Sequence, residues 1–212
     1  MYIVAFGCSN TFGEGLSDCW PCNLSTPPSK FAWPQLLGNM LDRTVVNKSK
    51  PGCSNKYIEY SILENEQIRE DDIVVILWTY YDRTTTYDEN KTPWRIMPSD
   101  LRPGKVFHDP PLANLKNTKF YYENMHSNFD SWRDFYTRLN NVRDYLDSKK
   151  IKNYHFSCER EHPYVKITPK WNRAFIMKTP FKKGGHLALD NSHPGEKQHK
   201  KLADIMYNVI NT

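Results

Sequence analysis

The segment at residues 71–78, DDIVVILW, is the most strongly apolar run in the chain. Its apolar residues are continuous rather than alternating, which is typical of a strand buried on both faces. Two shorter apolar runs, at 2–6 and 43–47, are each followed by turn-forming residues and then by a segment of helical periodicity. Strands that alternate with helices predict a mainly parallel sheet covered by helices on both faces.

The same patterns predict further helices and strands. Apolar residues recur at helical spacing in the segments 31–41, 55–68, 131–150 and 195–210. Short runs at 153–158 and 174–177 predict two more strands. Because no repeat, low-complexity tract or linker interrupts the sequence, we expect residues 1–212 to form a single domain.

The periodicity fails between about residues 79 and 130, where prolines mingle with aromatic side chains. A long irregular stretch is uncommon in a compact domain and often serves as a lid or binding loop. We interpret it as an irregular insertion for substrate recognition, with a packed loop or an oligomer contact as the alternative. The aromatic side chains that could stack on a sugar ring or pack under the loop are Trp94, Phe107, Phe120, Tyr121 and Tyr122.

Charge and hydropathy disfavour several classes of function. No apolar run approaches the roughly 18 residues that a bilayer span requires, and the N-terminus lacks a basic region followed by a long apolar segment. The formal net charge is +5, but the basic residues are scattered and form no stripe that would bind nucleic acid. We therefore expect a cytoplasmic protein that binds neither membranes nor nucleic acid.

The cysteine count indicates free thiols. Five cysteines make an odd number in a chain without a recognisable secretion signal, so a disulfide framework is not expected. Cys19 and Cys22 have the spacing of a redox or zinc motif, but a glycine-bearing loop precedes them where a strand leading into a helix is needed. We expect no metal site there.

Chemically reactive side chains follow the predicted strands. In an open parallel sheet, ligands bind at the carboxyl ends of the strands, and the loops at 7–10, 51–55 and 78–82 lie there. A fourth segment, DNSHPG, places Asp190 and His193 three residues apart before the last helix. A turn of this spacing can hold the carboxylate beside the imidazole, and such a pair can activate a serine hydroxyl.

Together and in this order, these segments resemble the SGNH/GDSL hydrolase family, whose first motif is Gly-Asp-Ser and whose last is Asp-x-x-His. FGCSNTFGEG and DNSHPGEKQH match the two motifs in kind and position, and the resemblance spans nearly the whole chain. It implies the SGNH hydrolase fold, a three-layer α/β/α sandwich with a flavodoxin-like sheet. It also implies an esterase in which Ser9 is the nucleophile, His193 the base and Asp190 its orienting partner. The backbone amides of Ser9 and Gly52 would form the oxyanion hole, and no cofactor is required.

The sequence departs from the family pattern at two places. Cys8 replaces the Asp before the nucleophile, a residue outside the triad. The family has Gly-x-Asn-Asp after the central strand, where this chain has WTYYDR, so the usual Asn donor to the oxyanion is absent. Thr79 or Tyr80 could replace it with a hydroxyl, and Asn55 could replace it with an amide.

The substrate is less well defined than the reaction. The resemblance implies a small-acyl or acetyl ester, and a carbohydrate ester is one form of it. We expect contacts to substrate from Asn55, Tyr80 and Asp82. For Asp82 and Arg83, at the end of the central strand, a structural ion pair is the alternative.

Two other functions stay open. A non-catalytic binding or assembly module would explain the lost Asn, whereas the joint retention of Ser9, Asp190 and His193 favours an enzyme. A nucleotide or flavin binder would share the sheet topology, but the first loop lacks a phosphate-binding glycine pattern. We expect no catalytic role for His186 and a solvated side chain at His199, on the polar face of the last helix.

Overall fold

The computed structural model describes residues 1–23, 25–101, 115–158 and 186–212. The strands in these ranges are β1 (Tyr2–Gly7), β2 (Thr44–Asn47), β3 (Ile73–Trp78), β4 (Thr84–Tyr87), β5 (Pro93–Ile96) and β6 (Lys152–Ser157). Four of them form a parallel sheet in the order β2-β1-β3-β6, and β4 pairs with β5 in a separate antiparallel hairpin. The predicted parallel sheet is confirmed.

Strand β3 lies in the interior of the sheet, between β1 and β6, and its side chains are covered on both faces. All of its residues are buried, and successive side chains of a strand point to opposite faces. In the register of the sheet, Val74 lies beside Val4 of β1, and Ile76 lies beside His155 of β6. The continuous apolar run in the sequence follows directly from this position.

Helices cover the two faces of the sheet. They are α1 (Ser9–Phe12), α2 (Trp33–Met40), α3 (Asn55–Leu63), α4 (Leu115–Asn124), α5 (Asn128–Ser148) and α6 (Glu196–Ile210). Helices α3 and α5 pack on one face through a core that includes Ile62, Leu139 and Trp78. Helices α2 and α6 pack on the other face through Leu37 and Met206. The chain is thus the α/β/α sandwich that the sequence predicts.

The segment at 79–130 is more regular than the sequence suggests. Its described part contains the β4–β5 hairpin, a 3-10 turn at Pro98–Leu101 and helix α4. The sequence LKNTKFYYEN of α4 is largely polar, which hides its helical periodicity. The Tyr122 hydroxyl donates a hydrogen bond to the backbone carbonyl of Asp82, so this aromatic side chain braces the loop after β3. Phe107 and the predicted strand at 174–177 lie outside the described residues.

The expectation of a solvated His199 is wrong. Its side chain is completely buried, and Nδ1 accepts a hydrogen bond of 3.1 Å from the backbone N–H of Trp33. Trp33 is the first residue of α2, and the first N–H groups of a helix have no partner within the helix. His199 of α6 therefore satisfies one of these donors and joins the two helices on that face.

Other sequence-based expectations concern membranes, thiols and metals. None of the helices in the described ranges combines the length and the apolar character that crossing a bilayer requires. All five cysteines are free thiols. Within the same ranges, no three or more His, Cys, Asp or Glu side chains are grouped so that they could hold a metal ion.

Candidate active site

The first loop brings Ser9 to the carboxyl edge of the sheet. Strand β1 ends at Gly7, and the chain turns at once into α1, with Cys8 as the N-cap residue. A Cβ on Gly7 would lie 2.0 Å from Thr11 Oγ1, so the turn requires glycine. Ser9 is the first residue of α1, and its backbone N–H therefore has no partner within the helix. The side chain is nearly buried, at 6% exposure.

The second loop is tied to the first through one carbonyl group. Gly7 O accepts hydrogen bonds from the backbone N–H of Lys50, at 3.1 Å, and from the Cys53 thiol, at 3.3 Å. Gly52 has a φ of +72°, and a Cβ there would lie 2.6 Å from Nη1 of Arg95. The predicted oxyanion residue Gly52 thus lies in a loop anchored to the Ser9 loop, with a guanidinium group against it.

The third loop, after β3, is held by Asn55. Its side-chain Oδ1 accepts from the Thr79 N–H at 2.8 Å, and its Nδ2 donates to the Thr79 carbonyl at 3.1 Å. Both Asn55 and Thr79 are buried, and the Thr79 hydroxyl accepts from Arg83 Nη1 at 3.2 Å. Asn55 and Thr79, two of the three side chains proposed from the sequence as donors to the oxyanion, therefore have hydrogen-bond partners within the protein.

Tyr80 and Asp82 lie in the same loop and are half-buried. Burial raises the pKa of Tyr80 to about 12, and the Tyr80 hydroxyl is hydrogen-bonded to the Asn10 side chain. Burial also raises the pKa of Asp82. Asp82 and Arg83 do not form the ion pair that was the structural alternative, since their charged atoms lie beyond salt-bridge distance. A contact between Asp82 and the substrate stays a prediction.

Asp190 and His193 form a hydrogen-bonded pair. Asp190 Oδ2 accepts from His193 Nδ1, and Oδ1 accepts at 3.0 Å from the backbone N–H groups of Ser192 and His193. Burial opposes the charge on Asp190, but these hydrogen bonds outweigh it and hold the pKa of that carboxyl far below its usual range. The sequence-based expectation that this turn pairs the two side chains agrees with the geometry.

The pair is fixed against the Ser9 loop by Gly15. The Leu189 N–H donates to the Gly15 carbonyl at 2.9 Å, and a Cβ on Gly15 would lie 2.7 Å from Cγ of Asp190. Gly15 has a φ of +85°, a conformation that favours glycine. The segment that carries Ser9 and the segment that carries the acid–base pair are thus in direct contact.

Glu14 is a site residue that the sequence reasoning missed. Its Oε2 lies 3.6 Å from Nε2 of His193, on the opposite side of the ring from Asp190. Burial lowers the pKa of His193, but Asp190 and Glu14 together raise it above its usual value. No hydrogen bond joins the Ser9 hydroxyl to His193, whose Nε2 faces Glu14. The signal in the sequence was the Gly13-Glu14-Gly15 pattern, in which both glycines have positive φ.

A second group missed from the sequence consists of thiols beside Ser9. Cys158, directly after β6, hydrogen-bonds to Cys8, and this contact is the main cause that holds the pKa of Cys8 well below its usual value. Asn10 Nδ2 donates to Cys158 Sγ at 3.5 Å. The charge of Arg83 also lies close enough to Cys8 and Cys158 to affect both thiols. Cysteines after separate strands gave no motif, because only the parallel sheet brings them to one edge.

Comparison with solved structures identifies the fold. A lipolytic protein of the G-D-S-L family from Desulfitobacterium hafniense DCB-2 matches with a TM-score of 0.53 and 13% identity, over 98% of both chains. A carbohydrate esterase whose active site displays divergent catalytic and non-catalytic binding functions matches with a TM-score of 0.60 and 13% identity, over 99% of this chain and 64% of its own. A carbohydrate esterase family 2 enzyme with a carbohydrate-binding domain, from Corynascus thermopiles (Myceliophthora fergusii), matches with a TM-score of 0.53 and 13% identity, over 99% of this chain and 65% of its own.

These matches confirm the SGNH hydrolase fold that the sequence resemblance implies. The chain spans just under two thirds of the length of the two carbohydrate esterases. No protein-family model matches the sequence, and no curated protein matches it. Because identity is 13%, the likeness establishes the fold, and the chemistry must be argued from the site.

Proposed function

We propose that the protein is a serine hydrolase that cleaves carboxylic ester bonds through Ser9, His193 and Asp190. The observation that carries the proposal is the hydrogen-bonded pair of His193 and Asp190, held against the loop that bears Ser9. The fold by itself does not require a buried carboxylate that is hydrogen-bonded to an imidazole. Nor does it require that this pair be held against a loop that bears a serine. An acyl-transfer site requires all three groups.

The reaction has two halves. His193 Nε2 accepts the Ser9 proton as the hydroxyl oxygen bonds to the ester carbonyl carbon, and the carbonyl electron pair moves to the oxygen. The backbone amides of Ser9 and Gly52 stabilise this oxyanion. His193 then protonates the leaving alcohol, and a water molecule releases the acyl group from Ser9 by the same steps in reverse.

His193 must turn toward Ser9 for this chemistry. In the structure its Nε2 faces Glu14 at 3.6 Å, while Nδ1 is hydrogen-bonded to Asp190. Hydrogen bonds between catalytic groups are often long in the absence of substrate and shorten when it binds. The proposal therefore includes a rotation of the ring that keeps the Asp190 contact and moves Nε2 from Glu14 toward the Ser9 loop.

An acetyl ester, carried on a carbohydrate, is the proposed substrate class. Two of the proteins that share this fold are carbohydrate esterases. An acetyl group suits a serine that is almost completely buried, because a long acyl chain would need a larger opening. Exposed aromatic side chains such as Phe120 offer a surface on which a sugar ring can stack.

The test is hydrolysis of p-nitrophenyl acetate at pH 8 by the wild-type protein and by Ser9→Ala and His193→Ala. We expect both substitutions to reduce kcat to background. His186→Ala and Ser148→Ala are matched controls, since both side chains are exposed and neither contacts the triad, and they should keep wild-type rates. Labelling by a fluorophosphonate, mapped to Ser9 by mass spectrometry, gives a readout that does not depend on the choice of ester.

Binding without hydrolysis is the second candidate function. The observation that favours it concerns Thr79, which follows β3 where the family has an Asn that donates to the oxyanion. The Thr79 hydroxyl is buried and already hydrogen-bonded to Arg83, so it is a poor replacement for that donor. Equal rates in all variants and no labelling of Ser9 would support this alternative and contradict the hydrolase. Calorimetric titration with an acetylated oligosaccharide would then measure the binding directly.

A further inference from the structure

The three side chains that the sequence offers as donors to the oxyanion, Asn55, Thr79 and Tyr80, each have a partner within the protein. The Asn55 side chain uses its Oδ1 and one of its two Nδ2 N–H groups on the Thr79 backbone, and the buried Thr79 hydroxyl accepts from Arg83. The Tyr80 hydroxyl is hydrogen-bonded to Asn10. An oxyanion hole that has lost one donor typically loses about 10²- to 10³-fold in rate. The same loop carries a further and stronger hydrogen-bond donor, the guanidinium of Arg83.

Arg83 is fixed in this loop by two contacts. Its Nη1 donates to Thr79 Oγ1 at 3.2 Å, and its guanidinium carbon lies 4.6 Å from the centre of the Tyr80 ring. Thr79 is hydrogen-bonded in turn to Cys8, the residue before Ser9. The guanidinium is thus joined to the nucleophile loop through one intermediate side chain. Of its five N–H donors, one is used by Thr79.

Arg83 differs from two other half-buried arginines of the described ranges in its ion-pair contacts. Arg95 lies 3.6 Å from Asp100, and Arg138 pairs with Glu59 and Asp134. Within the described ranges, no carboxylate lies within salt-bridge distance of Arg83. The groups near its charge include the thiols of Cys8, Cys53 and Cys158, the Tyr80 phenol and the Asp82 carboxyl. A guanidinium held in place by Thr79 and the Tyr80 ring is preorganised for an anion that forms during the reaction.

The acidic and basic groups of the site have different neighbours. Glu14 and Asp190 flank His193, where positive charge develops when it accepts a proton. The charge of Arg83 acts on Cys8 and Cys53, which adjoin in sequence Ser9 and Gly52, the residues of the two oxyanion amides. Negative charge develops on the carbonyl oxygen at these amides. A positive charge close to these residues favours the negative oxygen.

We propose that Arg83 is a catalytic residue that replaces the missing Asn, donating an N–H and a positive charge to the oxyanion. The inference rests on the proposed function. As Ser9 Oγ bonds to the carbonyl carbon, its proton passes to His193 and the carbonyl π pair moves to the oxygen. Arg83 keeps all its protons throughout and binds the negative oxygen until the carbonyl reforms and the alcohol leaves.

The test compares kcat and KM for p-nitrophenyl acetate among wild type, Arg83→Lys, Arg83→Gln and Arg83→Ala. Removal of the charge in Arg83→Gln should lower kcat by about 10²-fold with KM within about three-fold, because the interaction forms only in the transition state. Arg83→Lys, which keeps the charge and loses the fork of donors, should lie between wild type and Arg83→Gln. Arg133→Gln, an exposed arginine on α5, is the matched control and should be unaffected.

Chemical rescue separates a catalytic arginine from a structural one. Guanidinium ion at tens of millimolar should restore kcat of Arg83→Ala by at least about ten-fold, whereas urea at the same concentration should not, since it is uncharged. A rise in KM with unchanged kcat, or a loss of kcat that guanidinium does not restore in a variant with wild-type circular dichroism, overturns the inference. Fluorophosphonate labelling of Ser9 in the same wild-type sample distinguishes failure of the Arg83 role from failure of the proposed hydrolase. If Ser9 is labelled and the Arg83 variants keep wild-type kinetics, only the role of Arg83 is overturned. An unlabelled Ser9 without turnover overturns the hydrolase itself.

Discussion

The side-chain amide of Asn55 pairs with the backbone of Thr79, accepting a hydrogen bond of 2.8 Å from its N–H and donating one of 3.1 Å to its carbonyl oxygen. Asn55 begins α3 and Thr79 follows β3 directly, so the contact joins two of the loops at the carboxyl edge of the sheet. A buried backbone amide that loses its partner costs free energy because water cannot replace the bond. The pair therefore holds the edge of the site in a fixed position.

Asn55→Ala should lower the free energy of unfolding by about 2–4 kcal/mol, since it removes two hydrogen bonds and leaves the Thr79 N–H and carbonyl buried. The measurement is urea denaturation followed by circular dichroism. Asn124→Ala is the matched control, because Asn124 is exposed and makes one hydrogen bond within its own helix. Equal effects of the two substitutions would contradict a structural role for the Asn55–Thr79 pair.

Glu14→Gln should move the acid limb of the kcat/KM profile to lower pH. Asp190, Glu14 and Cys8 raise the pKa of His193 against the lowering effect of burial. The proposed base works only when neutral, so activity falls as the pH drops through this raised pKa. Loss of the Glu14 charge lowers the pKa of His193, by about one unit if the effect is at the small end of shifts caused by a charge within 4–6 Å.

The control for this profile is Glu196→Gln. Glu196 accepts a hydrogen bond from Ser17 at 2.7 Å and lies in the same region, but it does not contact the imidazole. It should leave the acid limb in place. An acid limb that does not move in Glu14→Gln, or that moves equally in both variants, would show that Glu14 does not act on His193.

The sheet was predictable from the sequence because apolar periodicity reports burial directly. The run that forms β3 is continuous because helices cover both faces of that strand. Asp190 and His193 were also predictable as a pair, because three residues on a turn bring their side chains together without help from the rest of the fold. Patterns that are local in sequence therefore predicted local geometry.

The contacts between loops could not be predicted in the same way. Glu14 reaches His193 only because the 186–195 segment docks on Gly15, and Cys8 meets Cys158 only because β1 and β6 flank β3. His199 was misplaced because it lies among lysines and glutamine in α6, and its burial depends on α2. Each of these contacts joins residues more than 100 positions apart. Apolar periodicity reports only on residues a few positions apart, so it does not predict such contacts.

His155 should make the protein less stable in mild acid. Its side chain is buried, Trp78 Nε1 donates to Nδ1 at 3.0 Å, and Nε2 contacts Asn153 Oδ1 at 2.9 Å, so the neutral ring uses both nitrogens. Burial, with a smaller effect of Arg143, lowers the pKa of His155 to about 3. Below pH 6.5 the unfolded chain therefore binds a proton that the folded protein does not, and stability falls by about 1.4 kcal/mol per pH unit from this residue.

The measurement is the difference in free energy of unfolding between pH 7.5 and pH 5.5, from urea denaturation. His155→Gln cannot be protonated in this range, and its difference should be smaller than that of the wild type by about 1–1.5 kcal/mol. Exposed His186, replaced by Gln, serves as the control and should preserve the wild-type difference. If the pH dependence were the same in all three proteins, His155 would not be held neutral in the fold.

A comparison of Gly15→Ala with Gly13→Ala should distinguish an effect on the stability of the Ser9 loop from an effect on catalysis. Gly13 and Gly15 have φ values of +84° and +85°, so an alanine at either position is strained and should cost about 1–3 kcal/mol of stability. An added Cβ meets different neighbours at the two positions. At Gly13 it would meet Ser29 Cβ at 2.6 Å, and at Gly15 it would meet the Asp190 carboxylate at 2.7–2.9 Å.

Only Gly15→Ala therefore displaces the carboxylate that orients His193. We expect its kcat for p-nitrophenyl acetate to fall by about 10²-fold or more, since loss of the orienting carboxylate costs about 10⁴-fold in Ser-His-Asp enzymes. Gly13→Ala should lose a similar amount in Tm while keeping kcat near the wild-type value. Both are measured at a temperature where circular dichroism shows each variant folded. Equal kcat values in the two variants would mean that the position of Asp190 against Gly15 does not matter for catalysis.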